Sequence, residues 1–244
     1  MLKKLLKRNT YRSIRRKLFP YKRLPDEFYD ALYVSINGAP LFIPENTYCV
    51  DLAVRNLPTD DPVVEIGSFT GMSTCMLSHF LELHQRRNTL FNVDKWEFEE
   101  KEKQYYSRVL KVTPETMKHY IRESFIRNLQ LCCGSRLPAT IELFSDDFFE
   151  CWNTRSSLVD LWGRTVMPGG PISFAYLDGN HQYAFVKRDF DNVSKWLVKD
   201  GFIFFDDSDP AIKSGVRDFV QEGSWKKEYE LVIKNPNYLL RKIR

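Results

Sequence analysis

The sequence predicts an α/β fold, a doubly wound and mostly parallel seven-stranded sheet that ends in an antiparallel hairpin. Three observations carry this prediction. From residue 63 onward, short apolar runs alternate with stretches of helical spacing, the pattern of strands joined by crossover helices. Five of the runs stop at a polar or acidic position, at Glu65, Asp94, Ser145-Asp146, Asp178 and Asp206-Asp207. The last two runs, Tyr229–Lys234 and Tyr238–Lys242, are separated only by a turn and so read as a hairpin.

Taken in order, residues 1–25 form a basic segment punctuated by Pro20 and Pro25, and residues 26–244 form a single domain. Residues 26–57 are a lead-in with a Gly-Ala-Pro turn and a helix from about Pro44. Pro58-Thr-Asp-Asp-Pro62 leads into the first strand at 63–66, followed by a helix over about 72–86. Leu90-Phe-Asn-Val-Asp94 is the second strand, 97–108 a charged surface helix or insert, and 115–131 a helix spaced by Met117, Ile121, Phe125 and Leu129. Thr140–Phe144 reads as the third strand and about 147–162 as a helix. Ile172–Leu177 is the fourth strand, about 182–197 a helix with Val186, Phe190 and Val193 on one face. Lys199-Asp-Gly201 turns into a fifth strand at 202–205, and 211–222 is the last helix.

Residues 63–74 hold the most informative local pattern. A buried run, Val-Val-Glu-Ile, meets Gly67-Ser68-Phe-Thr-Gly71 and then Ser73, Thr74 and an apolar helical stretch. Glycines serve where φ is positive or a ligand must approach the backbone. The Gly-x-x-x-Gly spacing is not the Gly-x-Gly-x-x-Gly of pyrophosphate binders. Glu65 before the turn also disfavours an anion and suits a cationic or hydroxylated ligand. A single acid at a strand end is more often a helix N-cap. Five at one sheet edge repel one another and call for a cation or hydrogen-bond donors.

Composition narrows the classes further. The hydrophobic fraction is 43% and the charged fraction 28%, ordinary for a globular chain, with no run of apolar residues long enough to span a bilayer. Net charge is +4, yet residues 1–23 hold ten Lys or Arg and no acid, which leaves −6 for residues 24–244. That acidic body and the lack of a base-flipping motif argue against a specific nucleic-acid partner. Leucines among the bases allow residues 1–23 to contact a membrane surface or a polyanion. Five cysteines, with Cys132 and Cys133 adjacent, match neither a zinc site nor a Cys-x-x-Cys motif. Free thiols in a reducing compartment follow, so the expected location is cytoplasmic, peripheral to a membrane surface if the basic tail binds one. Homo-oligomer formation is left open.

The glycine turn, with its preceding acid, resembles motif I of the class I S-adenosylmethionine-dependent methyltransferases, and the resemblance extends over roughly residues 60–244. It implies S-adenosyl-L-methionine as cofactor, with Gly67, Ser68, Gly71 and Ser73 along its backbone path and Glu65 near its amino-bearing end. Asp94 would accept from both ribose hydroxyls, and Ser145 and Asp146 would meet the adenine. Phe91-Asn-Val-Asp-Lys-Trp96, Tyr176-Leu-Asp-Gly-Asn-His181 and Phe204-Phe-Asp-Asp207 further resemble the macrocin-type O-methyltransferases and cephalosporin-hydroxylase-like proteins. For that group the resemblance implies Mg2+ held by Asp178, Asp206 and Asp207, as three hard carboxylate ligands suit. His181, three residues past Asp178, would then be the general base. The implied reaction is O-methylation of a sugar or another polyhydroxylated small molecule. A metal-independent methyltransferase and a non-catalytic cofactor-binding module tethered by the basic tail are the alternatives. His79, His84 and His119 lie on predicted helices and receive no role.

Overall fold

The computed structural model describes residues 21–134 and 136–244. The expected contacts of the basic segment therefore fall mostly outside the described residues. Its end is pinned to the domain: Lys22 exchanges backbone hydrogen bonds with the Asn235 side chain, and Arg23 pairs with Glu45 at 2.9 Å.

The strands are β1 (Val63–Ile66), β2 (Leu90–Val93), β3 (Ala139–Ile141), β4 (Leu158–Val159), β5 (Thr165–Val166), β6 (Ile172–Leu177), β7 (Leu197–Phe205), β8 (Tyr229–Lys234) and β9 (Tyr238–Lys242). Seven of them form one sheet in the order β3-β2-β1-β6-β7-β9-β8, while β4 and β5 pair separately. Only β9 runs against its neighbours. Chain order runs one way from β1 through β2 and β3, and the other way through β6 and β7. The crevice for a ligand therefore opens at the carboxyl ends of β1 and β6.

Residue alternation sends the two faces of each strand to different helices. Phe174, Tyr176, Phe202 and Phe204 pack with helices α1 (Glu27–Ser35), α2 (Pro44–Arg55), α3 (Met72–Leu83) and α5 (Pro114–Cys132). Ala175, Leu177, Ile203 and Phe205 pack with α6 (Ser145–Thr154), α7 (Tyr183–Ser194) and α8 (Gly215–Glu222). The remaining helix, α4 (Glu100–Val109), buries no residue and is held by a capping box between Glu99 and Glu102. Local chemistry sets several starts. Asp26 accepts from Tyr29 N ahead of α1, Thr113 from Thr116 N ahead of α5, and Ser214 from Arg217 N ahead of α8.

Three expectations are corrected. The third strand stops at Ile141 instead of Phe144, because Phe144 already serves as the N-cap position of α6. The helix expected to reach residue 162 ends at Thr154, followed by Arg155 at φ 53°. Beyond it the Asp160 carboxylate accepts from Trp162 N, Arg164 N and Arg164 Nε at 3.0, 2.8 and 2.7 Å. This tight turn closes the β4–β5 hairpin and outcompetes the helical spacing of Leu158, Leu161 and Trp162. The fifth strand begins at Leu197, its register against β6 shifting where Asp200 adopts φ 63°, so Lys199-Asp-Gly201 is a bulge inside a strand. Among the described residues no helix is long and apolar enough to cross a membrane.

Candidate active site

The glycine turn leaves β1 at Gly67 and enters α3 at Gly71, at φ 81° and 91°. A Cβ on Gly67 would lie 2.2 Å from the Asp178 carbonyl oxygen, so the turn touches the end of β6 directly. Asp94, beyond β2, holds the turn from the other side. Its Oδ2 accepts from Ser68 N at 2.8 Å, Ser68 Oγ at 3.2 Å and Phe69 N at 3.0 Å, and its Oδ1 from Trp96 N at 2.6 Å. Trp96 Nε1 returns a bond to the Phe69 carbonyl at 2.9 Å. Phe69, Trp96 and Asp207 are non-glycine residues in the left-handed region, at φ 49°, 51° and 51°. All three lie at the carboxyl edge of the sheet, where strained backbone marks functional loops.

Glu65 faces the other way. It is fully buried under α3, where its Oε2 accepts from Thr74 Oγ1 at 2.6 Å and Asn92 Nδ2 at 2.7 Å. Burial pushes its carboxyl up to about 7, against the pull of Ser73, Thr74 and Asn92. Because the folded carboxyl holds its proton more tightly than the unfolded one, its stabilising contribution is complete below about pH 4.5. It is lost as pH rises through 7. The span of the shift corresponds to about 3 kcal/mol. Glu65→Gln is therefore expected to flatten the fall in melting temperature between pH 5 and 8, as differential scanning calorimetry would record. An unchanged profile would refute this account.

The ends of β6 and β7 assemble the acid cluster. The His181 ring sits between two carboxylates, Nε2 3.5 Å from Asp178 Oδ1 and Nδ1 3.4 Å from Asp207 Oδ2, with the side chain 46% exposed. Burial alone would lower this imidazole. Asp178, Asp207 and Asp206 outweigh it and hold the ring up to about 9, with the exposed edge screened by water. Gly215 N donates to the His181 carbonyl at 2.9 Å and fixes its loop to the start of α8. Asp178 is itself pushed well above the usual carboxylate range by burial and by Asp206.

Asp206 belongs to a different arrangement. Its Oδ1 accepts from Asn46 Nδ2 at 3.1 Å, Asp207 N at 2.8 Å and Asn237 Nδ2, and its Oδ2 accepts from Tyr176 OH at 3.1 Å. Asn237 also donates to Asn46 Oδ1 at 3.1 Å. Asn46, Asn237 and Tyr176 are all within 1% of complete burial. This web ties the lead-in helix α2 and the β8–β9 turn to the site.

The remaining candidates lie beside β3. Ser145 Oγ donates to Asp189 Oδ1 at 2.6 Å, and Asp189, buried on α7, is pushed up to about 6 by desolvation. Asp146 is turned outward, paired with Arg188 at 3.0 Å and accepting from Asn192 at 3.1 Å.

The family described as Methyltransferase domain has a model that matches residues 64–208, from β1 through the acid pair at the end of β7. The chain belongs to this methyltransferase family. The methyltransferase is similar in fold to the O-methyltransferase NovP (TM-score 0.55, 14% identity, covering 82% of this chain and 80% of that one). It is also similar to TomG from Streptomyces achromogenes, solved with S-adenosylmethionine (TM-score 0.53, 14% identity, 95% of each chain). A third match is CalS11, described as a TDP-rhamnose 3'-O-methyltransferase (TM-score 0.54, 13% identity, 96% of this chain and 93% of that one). No curated protein matches the chain. The methyltransferase thus shares the class I fold of TomG, a protein that binds S-adenosylmethionine.

Its glycine turn suits that cofactor. The two left-handed glycines bring backbone to the crevice, and the first N–H groups of α3 face it. The three acids have other partners here than the divalent ion that the resemblance implied. Three donors converge on Asp206 Oδ1 and one on Oδ2, and His181 stands between the other two carboxylates. Among the described residues no group of three His, Cys, Asp or Glu is placed to hold a metal ion.

Sequence reasoning missed Asn46, Tyr176, Asn237 and Asp189. The Asn46 contacts to Tyr176, Asp206 and Asn237 span 130, 160 and 191 residues, beyond any local pattern. The one available signal was Asn235-Pro-Asn237 between two strands, a turn with more hydrogen-bonding groups than the turn itself requires.

Proposed function

We propose that this methyltransferase transfers the methyl group of S-adenosylmethionine to a hydroxyl of a sugar or another polyhydroxylated small molecule. The observation that carries the reading is the His181 ring held between Asp178 and Asp207 at the mouth of the crevice, next to the glycine turn. A carboxylate–imidazole pair can orient an acceptor hydroxyl and take its proton as the oxygen attacks the sulfonium methyl. Alignment of the reactants does the rest. The glycine turn from Gly67 to Ser73 holds the donor, and Glu65 acts on it from beneath the turn. Asp94 accepts from the ribose hydroxyls once it yields its bonds to Ser68 and Phe69. Ser145 and Asp146 bound the adenine end. NovP is an O-methyltransferase and CalS11 a TDP-rhamnose 3'-O-methyltransferase, and these similarities support an oxygen acceptor of sugar type.

The donors already gathered on Asp206 favour the metal-independent form of the reaction. The test incubates the purified protein with methyl-labelled S-adenosylmethionine and a panel of nucleotide sugars, glycosides, catechols and amines. Label in a sugar methyl ether is expected. Transfer to amines alone, or to nothing, would overturn the reading. With the accepted substrate, EDTA followed by gel filtration is expected to change the rate by less than about twofold, whereas loss of activity restored by Mg2+ would reinstate the three-aspartate ion site.

A further inference from the structure

Three thiols meet behind the glycine turn. Cys75 is in the first turn of α3 and fully buried, while Cys132 ends α5 and Cys133 caps it, both half-buried. The two helices press together here: a Cβ on Gly71 would lie 2.4 Å from Leu129 Cδ1. Cys75 is one turn beyond Gly71 and Cys133 one turn beyond Leu129, so the same contact brings the sulfurs face to face. The three thiols lie close enough to shift one another's hold on a proton, and Cys133 also feels Ser78 and the charge of Glu65. This mutual influence raises the Cys75 thiol and lowers Cys132 and Cys133, so the latter two are the thiols disposed to ionise. Cys132 is the more open of the latter two.

We propose that Cys75 and the Cys132–Cys133 pair form a redox-modification site whose closure by a hydroperoxide staples α3 to α5 and changes cofactor affinity. The Cys132 thiolate attacks the peroxide oxygen, the O–O bond breaks, and the other oxygen takes a proton and leaves as an alcohol, or as water from hydrogen peroxide. The Cys75 sulfur then attacks the resulting sulfenic acid; the S–S bond forms, and hydroxide leaves with the Cys75 proton as water. The two sulfurs give up two electrons, and the peroxide accepts them. The staple lies one turn behind Gly71 and beside Glu65, so it restrains the helix whose N-terminus carries the cofactor turn.

The test treats the reduced full-length protein with hydrogen peroxide, blocks remaining thiols with iodoacetamide and digests it with trypsin without reductant. Mass spectrometry is expected to find peptide 56–86 joined to peptide 128–136, separable by dithiothreitol. Calorimetry is expected to show S-adenosylhomocysteine affinity shifted at least about threefold by the peroxide and restored by reduction. Cys75→Ala and the double variant Cys132→Ser with Cys133→Ser should show neither effect, and Cys151→Ser should show both. Unlinked peptides, a bond confined to Cys132 and Cys133, or a cross-link with unchanged affinity would each overturn the proposal. The wild-type readouts decide it even if a variant fails to fold.

Discussion

Gly67→Ala is expected to abolish measurable S-adenosylhomocysteine binding and to lower the melting temperature by about 6–12 °C. Gly67 sits at φ 81°, where an L side chain costs about 1–2 kcal/mol. Its new Cβ would also lie 2.2 Å from the Asp178 carbonyl oxygen and 2.6 Å from the carbonyl carbon. These are main-chain atoms at the end of a central strand, with Asp178 N bonded to the Ile66 carbonyl at 2.8 Å. Neither partner can turn aside as a flexible side chain would. Overpacking of this kind adds about 1–3 kcal/mol, so a total near 3 kcal/mol is the reasonable magnitude, and for a chain of this size each kcal/mol moves the melting point by about 2–4 °C. The glycine turn and the acid cluster are neighbours at this contact, so the strain should disturb both. Scanning calorimetry and titration calorimetry with S-adenosylhomocysteine would check it. A variant within 2 °C of wild type that binds normally would show that the turn does not need a glycine here.

His181→Ala is expected to lower kcat by about 10²–10³-fold while leaving S-adenosylhomocysteine affinity within about threefold. The imidazole faces the crevice and contacts two carboxylates, and nothing in the cofactor turn depends on it. Its protonation adds a second signature. The flanking acids hold the ring up to about 9, so the unprotonated form that can accept a proton is the minor one at neutral pH. The rate through this residue is expected to climb as pH rises toward 9, about tenfold per unit well below that value, and to level off above it. In His181→Ala that limb should vanish. Asp178→Asn should lower kcat and bring the limb to lower pH, since it removes the acceptor that most helps keep the ring protonated. A His181→Ala enzyme with wild-type rate and an unchanged pH profile would exclude the residue from proton transfer.

The order of elements was largely legible, because each strand of the main sheet is short, apolar and bounded by turn residues. β1, β6, β8 and β9 have the boundaries that periodicity predicts. The failures came where side chains rebuilt the backbone locally. Nothing in the spacing of Leu158, Leu161 and Trp162 reveals that Asp160 will gather three donors and close a hairpin. Helix α1 was similarly hidden in a lead-in rich in Pro and aromatic residues, although Asp26 caps it and Tyr29 and Leu32 bury one face.

At the candidate site the residues that stand out in the sequence do arrive at one edge of the sheet, and their division of labour does not follow from their chemistry. Asp206 and Asp207 are adjacent and chemically identical. One is buried among Asn46, Asn237 and Tyr176; the other approaches His181. Which is which depends on the left-handed turn at Asp207 and on two asparagines more than a hundred residues apart.

The sequence alone determined that strands alternate with helices, that a glycine turn follows the first strand, and that acids end the central strands. These follow from local periodicity and backbone freedom, which neighbouring residues control. Only the tertiary structure decided that Glu65 lies beneath the turn, that Asp206 is held by buried donors, and that His181 stands between Asp178 and Asp207. Those outcomes depend on desolvation and on hydrogen bonds between distant segments, and both exist only once the chain has packed.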